Sequence, residues 1–300
     1  MGDCLRERFF VFDDFLPAEK SAAMRADVDA HFASPYADQP STHDVWNYWH
    51  VPGSYNYLRT TPEKVLARDK VAEFVDALRT FAAVKFGFAG VSWPFLGLYV
   101  PGCSQSLHND STNGQMGYVY SLTRNARQTI GGETLIVHDR DLFRTSLDQA
   151  AAGTALFDLV EPRFNRLTLF DDRIPHAVQR VDGSMNPLEG RFVLHGHIRE
   201  SGVIAQGALP ANVIQQPVVE ALKELREGVA NAVNGPLVLA VEIGKSGEVE
   251  RMRPIFDRLA SNGEVDIDAL RAEAAERISR LKFPAASSST RANIPLMFGG

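Results

Sequence analysis

Two separated histidine motifs dominate this 300-residue chain. One is His108-Asn109-Asp110, and the other is Ile174-Pro175-His176-Ala177-Val178, followed by Arg191. Together they offer two imidazoles, one carboxylate and one guanidinium. Imidazole and carboxylate suit Fe(II), and three facial protein ligands leave coordination positions open. A guanidinium, with its planar fork of donors, is the best side-chain anchor for a carboxylate. If these residues converge, the set reads as a non-haem Fe(II) centre beside a dicarboxylate co-substrate, which is oxygenase chemistry. A His-x-Asp triplet alone is close to chance expectation in a chain with 8 His, and its bland alternative is a surface-loop histidine.

The elements around the motifs sharpen the reading. His108 follows Tyr99-Val-Pro-Gly-Cys-Ser-Gln-Ser-Leu107, read as a strand, a turn and a short approach. Two residues apart on an extended segment, His108 and Asp110 point to the same side. His176 comes just after Leu167-Thr-Leu-Phe-Asp-Asp172 and begins a strand. Arg191 begins the next, Arg-Phe-Val-Leu-His-Gly-His197, so adjacent antiparallel strands are expected to set Arg191 near His176.

Residues 9–16 read as an opening strand, and Pro17 starts a helix to about His31. Residues 34–62 carry Pro, Gly, Tyr and Trp with little periodicity and read as a long loop. Residues 63–87 are helical, because Val65, Leu66, Val71, Phe74, Val75, Leu78 and Phe81 recur at three- and four-residue steps. From 92 to 200 the pattern changes to short β-rich runs at 93–100, 116–122, 133–137, 154–160, 166–171, 176–181 and 191–198. Turn signals such as Pro101-Gly102, Asn113-Gly114 and Gly131-Gly132 separate them. The expected fold class is mainly β with flanking helices: a double-stranded β-helix, or jelly roll, over 1–205. Residues 201–216 read as a linker. A small α+β unit over 206–300 follows, with helices at 217–233 and 266–281 and strands at 236–243, 248–256 and 291–298.

The segment from about 92 to 200 resembles the Fe(II)/2-oxoglutarate-dependent oxygenases of the prolyl-hydroxylase type. The landmarks stand in order: Tyr99 with Pro101-Gly102, His108-x-Asp110, Gly131-Gly132-Glu133, a Leu-Phe-Asp strand, Pro175-His176-x-Val178, then Arg191. Residues 9–91 resemble the family more loosely. The resemblance implies His108, Asp110 and His176 as iron ligands, and Arg191 and Tyr99 as binders of the distal carboxylate of 2-oxoglutarate. It implies Fe(II), 2-oxoglutarate and O2 as cofactors. The product would be a hydroxylated aliphatic C–H of an amino-acid or peptidyl side chain, with release of succinate and CO2. A carboxylate at Asp110, rather than Gly or Ala, favours hydroxylation over halogenation in that family's logic. The 15 positions from His176 to Arg191 exceed the family's usual spacing; the excess falls in the turn-rich 182–190, and Arg180 is the alternative anchor.

Residues 217–299 resemble the C-terminal domain of TonB-type energy transducers, through Gly235-Pro-Leu-Val-Leu-Ala-Val-Glu-Ile243, Gly247-Glu-Val249 and the helix ending Ile278-Ser-Arg-Leu-Lys-Phe-Pro284. An exposed sheet edge there implies a peptide-docking or homodimerisation role; packing ballast is the alternative.

Other residues keep two readings. His195 and His197 face one side of their strand, as a second metal site or as pocket lining. Gly131-Gly132 suits a tight turn or a close backbone approach. Glu133 reads as a loop cap and His138 as exposed. The aromatic cluster Trp46, Tyr48, Trp49, His50, Tyr55 and Tyr57 either staples its loop to the core or covers the iron site.

Bulk properties bound the rest. With 45% hydrophobic and 23% charged residues the composition is that of an ordinary globular protein. The net charge of −6, with no basic stripe, argues against nucleic acid. Two cysteines, Cys4 and Cys103, make a disulfide framework unexpected. No apolar run reaches membrane-spanning length and the first residues lack a secretory core, so a cytoplasmic protein without a membrane partner is expected. A small-molecule or peptidyl substrate is the expected partner. The competing class is a catalytically silent jelly-roll binding or adaptor protein acting through its C-terminal unit.

Overall fold

The structure, a computed structural model, describes residues 4–33, 45–124, 129–137 and 156–299. In chain order its strands are β1 (Phe9–Phe12), β2 (Asn47–Val51), β3 (Tyr55–Thr60), β4 (Gly90–Val91), β5 (Phe95–Tyr99), β6 (Ser104–His108), β7 (Met116–Ser121), β8 (Thr129–Ile130), β9 (Thr134–Val137) and β10 (Phe157–Val160). They continue with β11 (Leu167–Asp171), β12 (His176–Val178), β13 (Asp182–Gly183), β14 (Arg191–Arg199), β15 (Ile204–Gly207), β16 (Val233–Ile243), β17 (Val249–Asp257), β18 (Ala260–Ser261) and β19 (Thr290–Phe298).

Twelve strands form one antiparallel sheet in the order β1-β11-β7-β14-β5-β3-β6-β12-β9-β10, with β2 on β3 and β4 on β14. Side chains alternate across these strands. Leu96 and Leu98 of β5, Tyr118 and Tyr120 of β7, and Phe192 and Leu194 of β14 point to one face. There they pack on Met24 and Val28 of the helix Ala18–His31 and on Val71, Phe74, Val75, Leu78 and Ala82 of the helix Arg68–Lys85. The intervening residues, Tyr99, Val119, Arg191, Val193 and His195, face a cavity instead. Strands β6, β12 and β9 supply its other wall, with His108, His176 and Thr134. The architecture is therefore mainly β, a curled antiparallel sheet with few helices, and it fits a jelly roll.

A second sheet runs β15-β19-β16-β17, with β18 on β16. The alternation Leu237-Leu239-Val241-Ile243 faces Ile214, Val218 and Leu222 of the helix Ala211–Val229, and Leu270, Ala274 and Ile278 of the helix Ile267–Ser279. The opposite face is not solvent. Val238, Ile255 and Phe256 belong to the core of the first sheet, where Phe256 meets Phe86 and Phe88 with ring centroids 5.3 and 5.7 Å apart. Gly87 sits at φ +74°, and a Cβ there would lie 2.5 Å from Val238 Cγ1, so the two sheets meet across a backbone that only glycine permits.

Several expectations are corrected. The second half of the expected 34–62 loop is the hairpin β2–β3, turned at Gly53 with φ +72°. Its Tyr, Trp and Thr residues suit strands even without an apolar alternation; residues 34–44 lie outside the described residues. The expected linker at 201–216 contains β15, which pairs with β19 through backbone groups that side-chain character does not reveal, and a helix that starts at Ala211 rather than 217. That helix carries Pro217 in its second turn. The opening strand ends at Phe12, and the 63–87 helix begins at Arg68 after a single 3-10 turn, Pro62–Lys64. Among the described residues no helix is long and apolar enough to cross a membrane. Cys4 and Cys103 are free thiols.

Candidate active site

His108 ends β6 and His176 begins β12, and the two are direct cross-strand partners. Their rings lie 4.4 Å apart, centroid to centroid. Asp110 follows two residues beyond His108, held by its own amide, which donates to the Asp172 carbonyl at 2.8 Å, and by Asn113 Nδ2, which donates to Asp110 Oδ1 at 3.3 Å. One ligand atom from each of His108, Asp110 and His176 lies within 4.8 Å of the others. His176 Nε2 is 3.5 Å from Asp110 Oδ2.

The ring nitrogens facing away from this cluster fix its chemistry. His108 Nδ1 donates to the Ser106 carbonyl at 2.8 Å, and His176 Nδ1 donates to the Ile174 carbonyl at 3.0 Å. A carbonyl only accepts, so each ring carries a proton on Nδ1 and turns its Nε2 toward the cluster. Backbone carbonyls orient metal-binding histidines in this way. Burial, then the nearby His176, pushes the His108 imidazole below its ordinary pKa. Burial pushes the Asp110 carboxyl up, but the hydrogen bond and charge of His176, with the charges of His108 and His197, outweigh it and bring it down to about 2. Two imidazoles and a carboxylate gathered this closely are the donor set that a divalent ion such as Fe(II) takes, its binding displacing any proton from Nε2.

Arg191 reaches the same cavity, of about 410 Å³, by a route the spacing did not suggest. It is not on a strand adjacent to His176: β14 pairs with β5 and β7, β12 pairs with β6 and β9, and Arg191 lies opposite Tyr99. Curling of the sheet, not neighbouring pairing, brings both walls together. Arg191 is almost fully buried, its guanidinium stands over the Tyr99 ring at 4.7 Å, and its Nη2 donates to Thr134 Oγ1 at 3.2 Å. Tyr99 is buried too, donates its hydroxyl to Gln105 Oε1 at 2.9 Å, and stacks on Tyr57 with centroids 4.9 Å apart. Burial drives the Tyr99 phenol far above its ordinary pKa, so it stays protonated. Arg180 is exposed, ion-pairs with Asp182 at 3.3 Å and lies outside the cavity, so of the two candidate anchors Arg191 is the one that reaches it. Gly131 and Gly132, both at φ +79°, make the close approach: a Cβ on Gly131 would fall 1.8 Å from the Arg180 carbonyl, and one on Gly132 3.2 Å from Arg191 Cδ.

His195 and His197 line the cavity. Burial, then the charges of Arg59 and Arg191, lowers the His195 pKa to about 3, so it is neutral, and its shielded Nε2 has no hydrogen-bond partner. His197 Nδ1 lies 3.0 Å from Asp172 Oδ2, and Asp110, Asp172 and His197 form a second close group that shares Asp110 with the first. Burial pushes the Asp172 carboxyl up to about 6, with the hydrogen bond and charge of His197 opposing. Thr134, Gln105 and Arg59, which line the cavity, and Asp172, buried behind its wall beside His197, are residues that sequence reasoning did not single out. The signal for Asp172 was weak: it is the second of two successive Asp, the first ending an apolar strand and the second in the turn that follows. The aromatic cluster divides between both readings. Trp46 packs on Phe32 and Phe192, whereas Trp49, Tyr55 and Tyr57 line the cavity. His138 lies outside the described residues.

No protein-family model and no curated protein sequence matches the chain. Solved structures do. A prolyl hydroxylase from Trichoplax adhaerens, in complex with a hypoxia inducible factor oxygen degradation domain peptide fragment, is 16% identical, with a TM-score of 0.45 over 63% of this chain and 81% of that one. A Pseudomonas putida prolyl-4-hydroxylase is 17% identical, with a TM-score of 0.45 over 64% of this chain and 92% of that one. A Phytophthora capsici prolyl 4-hydroxylase is 14% identical, with a TM-score of 0.39 over 65% and 59%.

Proposed function

We propose that the chain is an Fe(II)- and 2-oxoglutarate-dependent dioxygenase that hydroxylates an aliphatic C–H bond of an amino-acid or peptidyl side chain. One observation carries this: two imidazoles, each oriented through Nδ1 by a backbone carbonyl, converge with Asp110 in a cavity that also holds a buried guanidinium. His108, Asp110 and His176 would hold the metal, and Arg191 would take the distal carboxylate of 2-oxoglutarate, with Tyr99 and Thr134 flanking it. Bound iron, 2-oxoglutarate and O2 supply the oxidising power, with succinate and CO2 released. The protein's part is to orient. The Ser106 and Ile174 carbonyls aim the imidazoles. Tyr57 and Val193 wall the anchor from water with apolar surface, so its charge–carboxylate contact is stronger than in solvent.

The same reading treats residues 206–300 as a small α+β unit with an edge strand, β17, whose last residues bridge to Leu5 and whose 249–254 stretch would take a peptide or a second copy. Sedimentation of the intact protein tests it: a monomer at every concentration, with no peptide bound, rejects that role.

The oxygenase reading is tested anaerobically. Fe(II) followed by 2-oxoglutarate gives a weak visible charge-transfer band in the wild type. The band is absent in His108→Ala and needs at least ~10-fold more 2-oxoglutarate in Arg191→Ala, because a charge-assisted bidentate contact is lost. A folded wild type without a band rejects the oxygenase and favours a silent binding module.

A further inference from the structure

The cavity holds more cations than the proposed reaction uses. Among the described residues lining it, Asp110 is the one carboxylate, against the guanidiniums of Arg59, Arg191 and Arg199. On the oxygenase reading Asp110 is committed to the metal and Arg191 to the co-substrate. Arg199 sits at the exposed end of β14, with Nε donated to the Asn113 carbonyl at 2.8 Å. Arg59 is different. It is half-buried on β3, opposite Gly97, and no carboxylate of the described residues is paired with it.

What surrounds Arg59 is aromatic. Its guanidinium carbon lies 3.2 Å from the Trp49 ring centroid and 4.0 Å from that of Phe95. Such contacts hold a cation in place and favour its charge. They use ring faces and consume none of its five N–H donors. Tyr57 is its polar neighbour, and the positive charge of Arg59 opposes the burial that raises the Tyr57 phenol. Beside it, His195 contributes a shielded Nε2 with no partner, its ring 5.9 Å from that of Phe95. Trp49, Trp93 and Phe95 are 37%, 40% and 41% exposed, an apolar rim around a preoriented cation. Rimmed apolar surface of this kind marks a binding site.

We propose that Arg59 is a substrate-recognition residue, and that the substrate is a carboxylate-bearing amino acid or peptide whose acid group is held by the Arg59 fork while its apolar body lies on Trp49, Trp93 and Phe95. This rests on the oxygenase reading for its committed residues, and deepens it by naming the substrate's charge. The acid comes from a free α-carboxylate or from an acidic side chain; both present the same planar group.

The experiment uses full-length protein freed of metal with a chelator, and reads the fluorescence of its three tryptophans. The probes are N-acetyl-phenylalanine and N-acetyl-leucine for the α-carboxylate, N-acetyl-glutamate α-amide for the side-chain acid, and the matching full amides. At least one acid is expected to give a saturable change, with its amide at least ~10-fold weaker, the loss of one charge-assisted contact. Arg59→Gln abolishes the difference between acid and amide, Arg59→Lys keeps part of it, and Arg191→Gln leaves it in place. The proposal is overturned if acids and amides bind alike, if no acid saturates, or if Arg191→Gln, rather than Arg59→Gln, removes acid binding. The iron–2-oxoglutarate band on the same preparation separates the two readings. Acid binding without a band sinks the oxygenase and keeps Arg59 as an anion site; a band without acid discrimination sinks this proposal alone.

Discussion

Asp171 and Asp172 are neighbours at the end of β11, both buried, and they stand in opposite surroundings. Asp171 turns to the seam between the two sheets. Arg173 donates to it through Nε at 2.9 Å and Nη2 at 2.6 Å, and Arg258 through Nε at 3.0 Å. Those guanidiniums are in turn tied to the Asn234, Arg258 and Arg6 carbonyls. Burial alone pushes the Asp171 carboxyl up, yet the charges and hydrogen bonds of Arg173 and Arg258 hold it below the ordinary value. Asp172 turns toward Asp110 and His197 behind the cavity wall, where His197 meets one oxygen and the other has no partner. The contrast separates the two jobs of a buried carboxylate. At the seam every oxygen is saturated and the group fixes how the sheets dock. At the cavity the donors are left incomplete, at a cost in stability, and what is left incomplete is available to chemistry.

The sharpest way to break that comparison is a pair of substitutions, one per region. Asp110→Ala should abolish the iron–2-oxoglutarate band outright, since no other carboxylate lines the cavity among the described residues. It should leave the metal-free protein as stable as the wild type within about 1 kcal/mol, because Asp110 is only half-buried. Unfolding of that variant would show the cavity to be structural. Phe256→Ala at the seam should do the reverse, costing about 3–5 kcal/mol in urea denaturation and leaving the band intact well below the melting temperature. A cost under about 1 kcal/mol would mean that the two sheets fold as separate domains divided near 205, as their sequence patterns suggest.

The convergence of the histidine motifs was more legible in the sequence than the scaffold that brings it about. His108, Asp110 and His176 were legible because their relation is local: two residues apart on an extended segment, and one at a strand start. Arg191 was legible in identity, but its route was not, because which strands meet on curling is absent from residue spacing. Arg59 was hidden when aromatic and polar residues of β2–β3 read as loop. The alternation of Leu237, Leu239, Val241 and Ile243 correctly exposed one face of β16. The partner of its other face, where Val238 lies, depends on a glycine 151 positions away at Gly87. That kind of long-range packing leaves no periodic trace.

Smaller effects refine the comparison through pH. Asp171→Asn should cost about 3 kcal/mol at pH 7, because two guanidiniums lose a buried counter-charge. Its folded pKa is lowered, so the wild-type contribution is present above the unfolded value, about 3.9, and is lost as pH falls through the folded one. Urea denaturation between pH 2 and 7 should therefore show an acid-sensitive arm in the wild type that is shallower in Asp171→Asn.

Asp172 has the opposite sign. Its folded pKa, about 6, lies above the unfolded value, so in metal-free protein it adds stability below about pH 4 that is lost as pH rises through 6. Above that pH a charge sits buried with one bare oxygen, next to the carboxylate of Asp110. An asparagine has no such charge to bury. Metal-free Asp172→Asn should lack the decline between pH 4 and 7, a difference of roughly 2 kcal/mol for about two pH units of displacement. Its iron affinity should fall by about 10- to 100-fold, because the neighbour that orients His197 beside Asp110 is altered. Chelator competition measures the affinity and urea titrations the stability. An identical pH profile in variant and wild type would place Asp172 with Asp171, as a second structural carboxylate, and would remove the difference between the two neighbours on which the comparison stands.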